Sequence, residues 1–141
     1  MTLIWREQLS VANDAIDNDH KHLIEIVNQV ERTLTTRDRS ELARALDSLT
    51  QYSHVHFDRE ERIAAAAGYI RTPGLHQSHV ALLERFVLVR TEFEASGPQW
   101  SAAATDHFIE FLRNWLIDHV IKEDLLMKPT LQKLSPSFSP G

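Results

Sequence analysis

An all-α fold, an up-down-up-down four-helix bundle with an N-terminal arm, is predicted by three features of this 141-residue chain. Four long stretches repeat apolar residues every three to four positions, the period of a helix that buries one face. Proline, glycine and short polar runs separate those stretches. No segment sustains an alternation of apolar and polar residues, so no strand is expected. A chain of this length can bury a core without disulfides, and residues 1–129 are read as one domain.

The first helix starts from Asp17 or Asn18 as a cap and runs to about Thr36, with Leu23, Ile24, Val27, Val30 and Leu34 on one face. "TRDRS" (36–40) is a polar turn. The second helix runs from about Glu41 to Ala67, with Leu42, Leu46, Leu49, Tyr52 and Ile63 in phase, and Gly68 ends it. Pro73 suits the first turn of the third helix, which carries Leu75, His79, Leu82, Phe86, Val89 and Phe93 before "SGP" (96–98) closes it. The fourth runs from about Gln99 to Met127 with Phe108, Leu112, Trp115, His119 and Leu126 along one face, and Pro129 stops it. Residues 1–16 read as an arm with Trp5 against the bundle, and residues 130–141, ending "SPSFSPG", as a disordered tail.

Composition narrows the chemistry. With 43% hydrophobic and 25% charged residues the chain reads as a soluble globular protein. It has no cysteine, so any metal site must draw on His, Asp and Glu. A formal charge of −5 without a Lys/Arg cluster argues against nucleic acid as a partner. The N-terminus lacks the build of a signal peptide and no apolar run is long enough to span a membrane, so a cytoplasmic protein is expected.

Eight histidines are present, and their phase matters more than their number. His20 is in register with Leu23, Ile24 and Val27, whereas His22, about 200° away, faces solvent. His56 and Glu60 are four apart and share a face with Leu49, Tyr52 and Ile63. A buried carboxylate there is costly unless paired or bound, and a simple His–Glu hydrogen bond is the plainer alternative. His119 is in register with Trp115, Leu112 and Phe108. Asp124 lies about 140° from it on an ideal helix, an angle that a local π-bulge would reconcile. Glu123, four residues on, has the better ideal angle, so spacing leaves both open. In "GLHQSHVALL" (74–83), His76 and His79 are three apart. His22, His54 and His107 read as surface residues. One histidine on an apolar face is ordinarily a satisfied core residue. Four helices that each place one at a compatible level, two of them with a carboxylate, point to a metal site in the bundle core.

The motifs "IDNDHKHL" (16–23), "YSHVHFDREE" (52–61) and "WLIDHVIKED" (115–124), together with Trp5, resemble the hemerythrin family in its single-domain bacterial form. The resemblance implies two iron ions bridged by Glu60, Asp124 and a solvent oxygen, and it selects Asp124 over Glu123. One iron would take His20 and His56 and keep an open position for dioxygen. The other would take His119 and two histidines of the third helix. The implied role is reversible dioxygen binding for storage, delivery or sensing.

The third helix departs from the family pattern, which spaces its histidines four apart. Counted from Glu60 or Tyr69, His79 falls on the second ligand position and Leu75 on the first, with His76 one residue late. Leu75 lies about 40° to one side of His79 and His76 about 60° to the other. If His76 adjusts by one residue, the ligand set is His20, His56, Glu60, His76, His79, His119 and Asp124. If Leu75 keeps the position, the second iron is one histidine short, which favours an enzyme reacting with oxygen, peroxide or nitric oxide. The third outcome is a single metal or a purely structural bundle. Ala64 stands where the family often has methionine, which would leave the oxygen pocket roomier or wetter.

Overall fold

A computed structural model describes residues 2–96 and 100–140. Gly97, Pro98 and Gln99, the expected loop and start of the fourth helix, lie outside the described residues. The helices are α1 (Asp14–Thr36), α2 (Arg39–Ala67), α3 (Thr72–Glu94) and α4 (Ala102–Asn114). The chain beyond α4 continues helically as a π-helical stretch, Trp115–Ile121, then short turns through Leu131. No strand occurs among the described residues, and no described helix is long and apolar enough to cross a membrane.

Local chemistry sets the helix ends. α1 starts before the expected cap because the Asn13 side chain accepts a hydrogen bond from Ile16 N at 3.2 Å. Asp17 instead accepts from Ser10 Oγ (2.5 Å) and Val11 N (2.9 Å), pinning the arm. Asp38 caps α2 through Glu41 N, and Ser101 caps α4 through Ala104 N, each at 3.0 Å. Gly68 ends α2 at φ +80°, a left-handed conformation that costs glycine little.

Two apolar clusters form the core. The larger contains Leu23, Leu46, Phe86, Leu112 and Trp115, and the smaller Val11, Ile16, Ile63, Leu75, Met127 and Leu131. Along α1 the order is Ile16 (smaller), His20, Leu23 (larger). Along α2 it reverses, with Phe57 (larger), Glu60, Ile63 (smaller). α3 runs Leu75 (smaller), His79, Leu82 (larger), and the last helix runs Ile121 (larger), Asp124, Met127 (smaller). The alternation is the up-down-up-down topology, and it leaves a layer of imidazoles and carboxylates between two apolar halves. Phe86 is 1% exposed in the larger half, and Phe86→Ala is expected to cost about 3–5 kcal/mol in chemical denaturation.

The two chain ends both dock. Trp5 packs on the larger cluster, and Leu3 exchanges two backbone hydrogen bonds of 2.9 Å with the Asn28 side chain. The tail, expected to be loose, folds back: Phe138 packs on the smaller cluster, and its carbonyl accepts from Asn13 Nδ2 at 3.0 Å. Pro136 O accepts from Asp14 N at 2.8 Å. One aromatic ring and the open end of α1 hold a segment whose Ser/Pro composition reads as disorder.

Candidate metal centre

In the polar layer, His20 Nε2 lies 2.7 Å from Asp124 Oδ2 and 3.7 Å from Glu60 Oε2. His56 Nε2 lies 2.8 Å from Glu60 Oε2 and 3.7 Å from Asp124 Oδ2. One ligand atom from each of these four residues falls within 4.8 Å of all the others. They come from three separate helical elements and are all buried.

Several of these atoms lack hydrogen-bond partners. His56 Nε2, Glu60 Oε2 and Asp124 Oδ1 are buried and unpaired, the close His56–Glu60 approach not being aligned as a hydrogen bond. Buried polar atoms are normally satisfied, so a convergent set of unsatisfied ones fits a cation better than a finished hydrogen-bond network. Two imidazoles and two carboxylates are a suitable donor set for a borderline divalent ion such as iron.

Without a cation the cluster is electrostatically crowded. Burial disfavours a charged Asp124, and the adjacent Glu60 carboxylate adds to this, so its carboxyl is pushed up to about 7. Burial also opposes charge on Glu60, but the attraction of His56 prevails and holds it well below the usual carboxylate range. His56 is raised well above an ordinary imidazole, and His20 is raised too, because carboxylate partners outweigh their burial. Protons therefore do part of the work that a cation would do.

Outside this cluster, Asp19 holds His56. Its Oδ2 lies 2.9 Å from His56 Nδ1, while its Oδ1 accepts from Tyr52 Oη at 2.7 Å and pairs with Arg59. Burial works against charge on Asp19, but these partners, His56 foremost, keep its pKa low. A carboxylate on Nδ1 keeps the imidazole proton there, so that a cation displacing the Nε2 proton would meet the Nε2 lone pair facing the cluster. Asp19, Arg59 and the hydroxyl role of Tyr52 were not anticipated from the sequence. The available signal was a carboxylate one residue before a ligand-type histidine.

His79 is buried, stacked on Phe57 at 3.9 Å with a 10° interplanar angle. Its Nε2 is 3.1 Å from Glu60 Oε1, and its Nδ1 is 2.9 Å from Glu61 Oε2. Glu60 thus directs one oxygen to the His20/His56 side and the other to His79.

Two expected ligands stand apart. His76 is 63% exposed, with Nδ1 2.6 Å from Glu61 Oε1, while Leu75 fills the inward position in the smaller cluster. His119 is exposed, although ordinary helical phase placed it with Trp115. The π-helical stretch explains this: the buried pairs Trp115/Leu116 and Val120/Ile121 recur five residues apart, so His119 falls one position behind the returning face. Leu126 turns outward by the same shift and Met127 replaces it in the core. The shift also brings Asp124 inward, while Glu123 accepts a 2.6 Å hydrogen bond from Ser78 Oγ. His119 borders a groove of about 490 Å³ shared with Tyr69, Arg71 and Leu75. His22, His54 and His107 are exposed, as expected.

A bundle with imidazoles and carboxylates at its waist defines a class of metal-binding helical proteins, and the comparisons narrow it. Residues 11–131 match the hemerythrin family, described as the hemerythrin HHE cation binding domain. The chain belongs to the hemerythrin family. It is 30% identical to a bacteriohemerythrin of Methylococcus capsulatus over 115 residues, covering 82% of this chain and 85% of the relative. A bacteriohemerythrin of Stenotrophomonas maltophilia is 26% identical over 122 residues, 86% of this chain and 76% of the relative. A myohemerythrin of Riftia pachyptila is 26% identical over 128 residues, 91% and 92% of the two chains. The fold superimposes on a solved wild-type hemerythrin with a TM-score of 0.76 and 27% identity, covering 93% of this chain and 98% of that one.

Proposed function

We propose that this protein holds iron in its bundle core and binds dioxygen there reversibly. The observation that carries the reading is the division of Glu60 between its two sides. One oxygen faces His20 and His56 and the other faces His79. Asp124 adds an unpaired Oδ1 beside its Oδ2, which contacts His20. Both carboxylates are thus suited to bridging two cations.

The two positions are unequal. His20, His56, Glu60 and Asp124 would hold the first ion. The second would share the carboxylates and take His79, with Leu75 and the outward His76 and His119 leaving it short of imidazoles. Iron, once bound, supplies the electrons and the exchangeable position that dioxygen requires. The protein's own residues do the rest: Asp19 orients His56, Phe57 and Glu61 fix the His79 ring, and the apolar halves restrict water.

The test is the visible spectrum of anaerobically reduced, iron-loaded protein before air, after air and after evacuation. A band that appears with air and disappears under vacuum is expected. Steady oxygen consumption with added reductant would instead identify an enzyme, the alternative favoured by the thinned second position. Leu75→His restores the four-residue spacing to His79. It is expected to tighten the second ion by about tenfold or more, about 1.4 kcal/mol, in a calorimetric metal titration.

A further inference from the structure

We propose that His76 and Glu61 form a surface capture point through which a divalent transition-metal ion reaches the buried centre. This rests on the metal-binding reading above, because a centre whose four residues are at most 1% exposed needs a route in. A graded line of ligand-type side chains leads there. Side-chain exposure falls from 63% at His76 to 23% at Glu61, 4% at His79 and 0% at Glu60. Consecutive contacts along the line are 2.6, 2.9 and 3.1 Å. Each step pairs an imidazole with a carboxylate, so a cation can exchange water for protein ligands gradually instead of shedding its hydration shell at once.

A second polar line from the cluster to the surface runs from His56 through Asp19 to Arg59, and its outer end is a guanidinium that repels a cation. Glu123, on the groove beside His119, bonds to Ser78 and not to the cluster. The capture point also accounts for His76 standing one residue past the inward position. There it is outside the centre but still on Glu61, whose two oxygens contact His76 and His79.

Stopped-flow mixing of apo protein with cobalt(II), whose visible absorption reports nitrogen and oxygen ligation, tests this directly. His76→Ala and Glu61→Gln are each expected to slow uptake by roughly tenfold, the low end of what local charge contributes to an association rate. His76→Ala should still reach the wild-type final spectrum and cobalt content, and His22→Ala, which removes another exposed histidine, should load at the wild-type rate. Unchanged uptake in both variants would overturn the proposal. So would a lower final cobalt content in His76→Ala, which would make His76 a permanent ligand. Wild-type protein that takes up no cobalt would instead refute the metal-binding reading itself.

Discussion

In a Glu60→Gln variant, metal retention is expected to collapse at both positions while the apo protein stays folded. Glu60 is fully buried and offers Oε2 to the His20/His56 side and Oε1 to His79, so one substitution removes the bridging anion from both ions. A neutral amide of the same size is a poor replacement for a carboxylate around a divalent cation. The apo fold should survive, because a mispaired buried polar group costs about 1–3 kcal/mol against a total stability of about 5–15 kcal/mol. Metal analysis after desalting, beside far-UV circular dichroism, reads both quantities. His76→Ala is the informative contrast: its side chain is 63% exposed and outside the centre, so that variant should load slowly but fully.

The second large effect is on stability, and metal reverses its pH dependence. His20 and His56 have raised pKa values in the folded apo protein. Their stabilising contribution is therefore complete below about 6.5 and is lost as pH rises through the folded values. Asp124, raised to about 7, acts in the same direction: between its unfolded pKa and about 7 the fold retains a proton that the unfolded chain releases, so stability falls progressively across that range. Glu60, held low, makes its contribution above the ordinary carboxylate range and is unchanged in this window. Apo protein should therefore lose stability from pH 6.5 upwards. A bound cation replaces the protons, and its affinity rises with pH. At a free metal concentration of about 1,000 times Kd the gain is about 4 kcal/mol, or on the order of 10 °C in Tm for a chain of this size. Thermal scans of apo and loaded protein from pH 6 to 8 should diverge as pH rises. Parallel curves would mean that the cluster does not exchange protons for metal.

The bundle was legible because its signals are local and redundant. Gly68 and Pro73 mark helix ends, and Leu23, Val27, Leu46 and Phe86 keep a strict helical phase. The inward placement of His20, His56, Glu60 and His79 follows from the same phase. Helical phase also separates Leu75, in the smaller cluster, from the outward His76. The angle between His119 and Asp124 raised a local π-bulge, but periodicity could not say where it falls or which of the two it turns inward. A π-helical stretch from Trp115 to Ile121 shifts every later residue, sending His119 and Leu126 outward and Asp124 and Met127 inward. Its start is not written in any one residue. Asp19 and Glu61 were missed for another reason: each sits beside a more conspicuous residue, and only their partners on α2 and α3 reveal what they hold. The docking of Phe138 depends on long-range packing that local composition does not encode.

The most direct measurement is an anaerobic calorimetric titration of apo protein with ferrous iron. Two binding events of unequal strength are predicted: a tight one at His20, His56, Glu60 and Asp124, and a weaker one that shares Glu60 and Asp124 and uses His79. Two equally tight events would contradict the inequality drawn from the positions of Leu75, His76 and His119. Absence of binding would contradict the metal centre altogether.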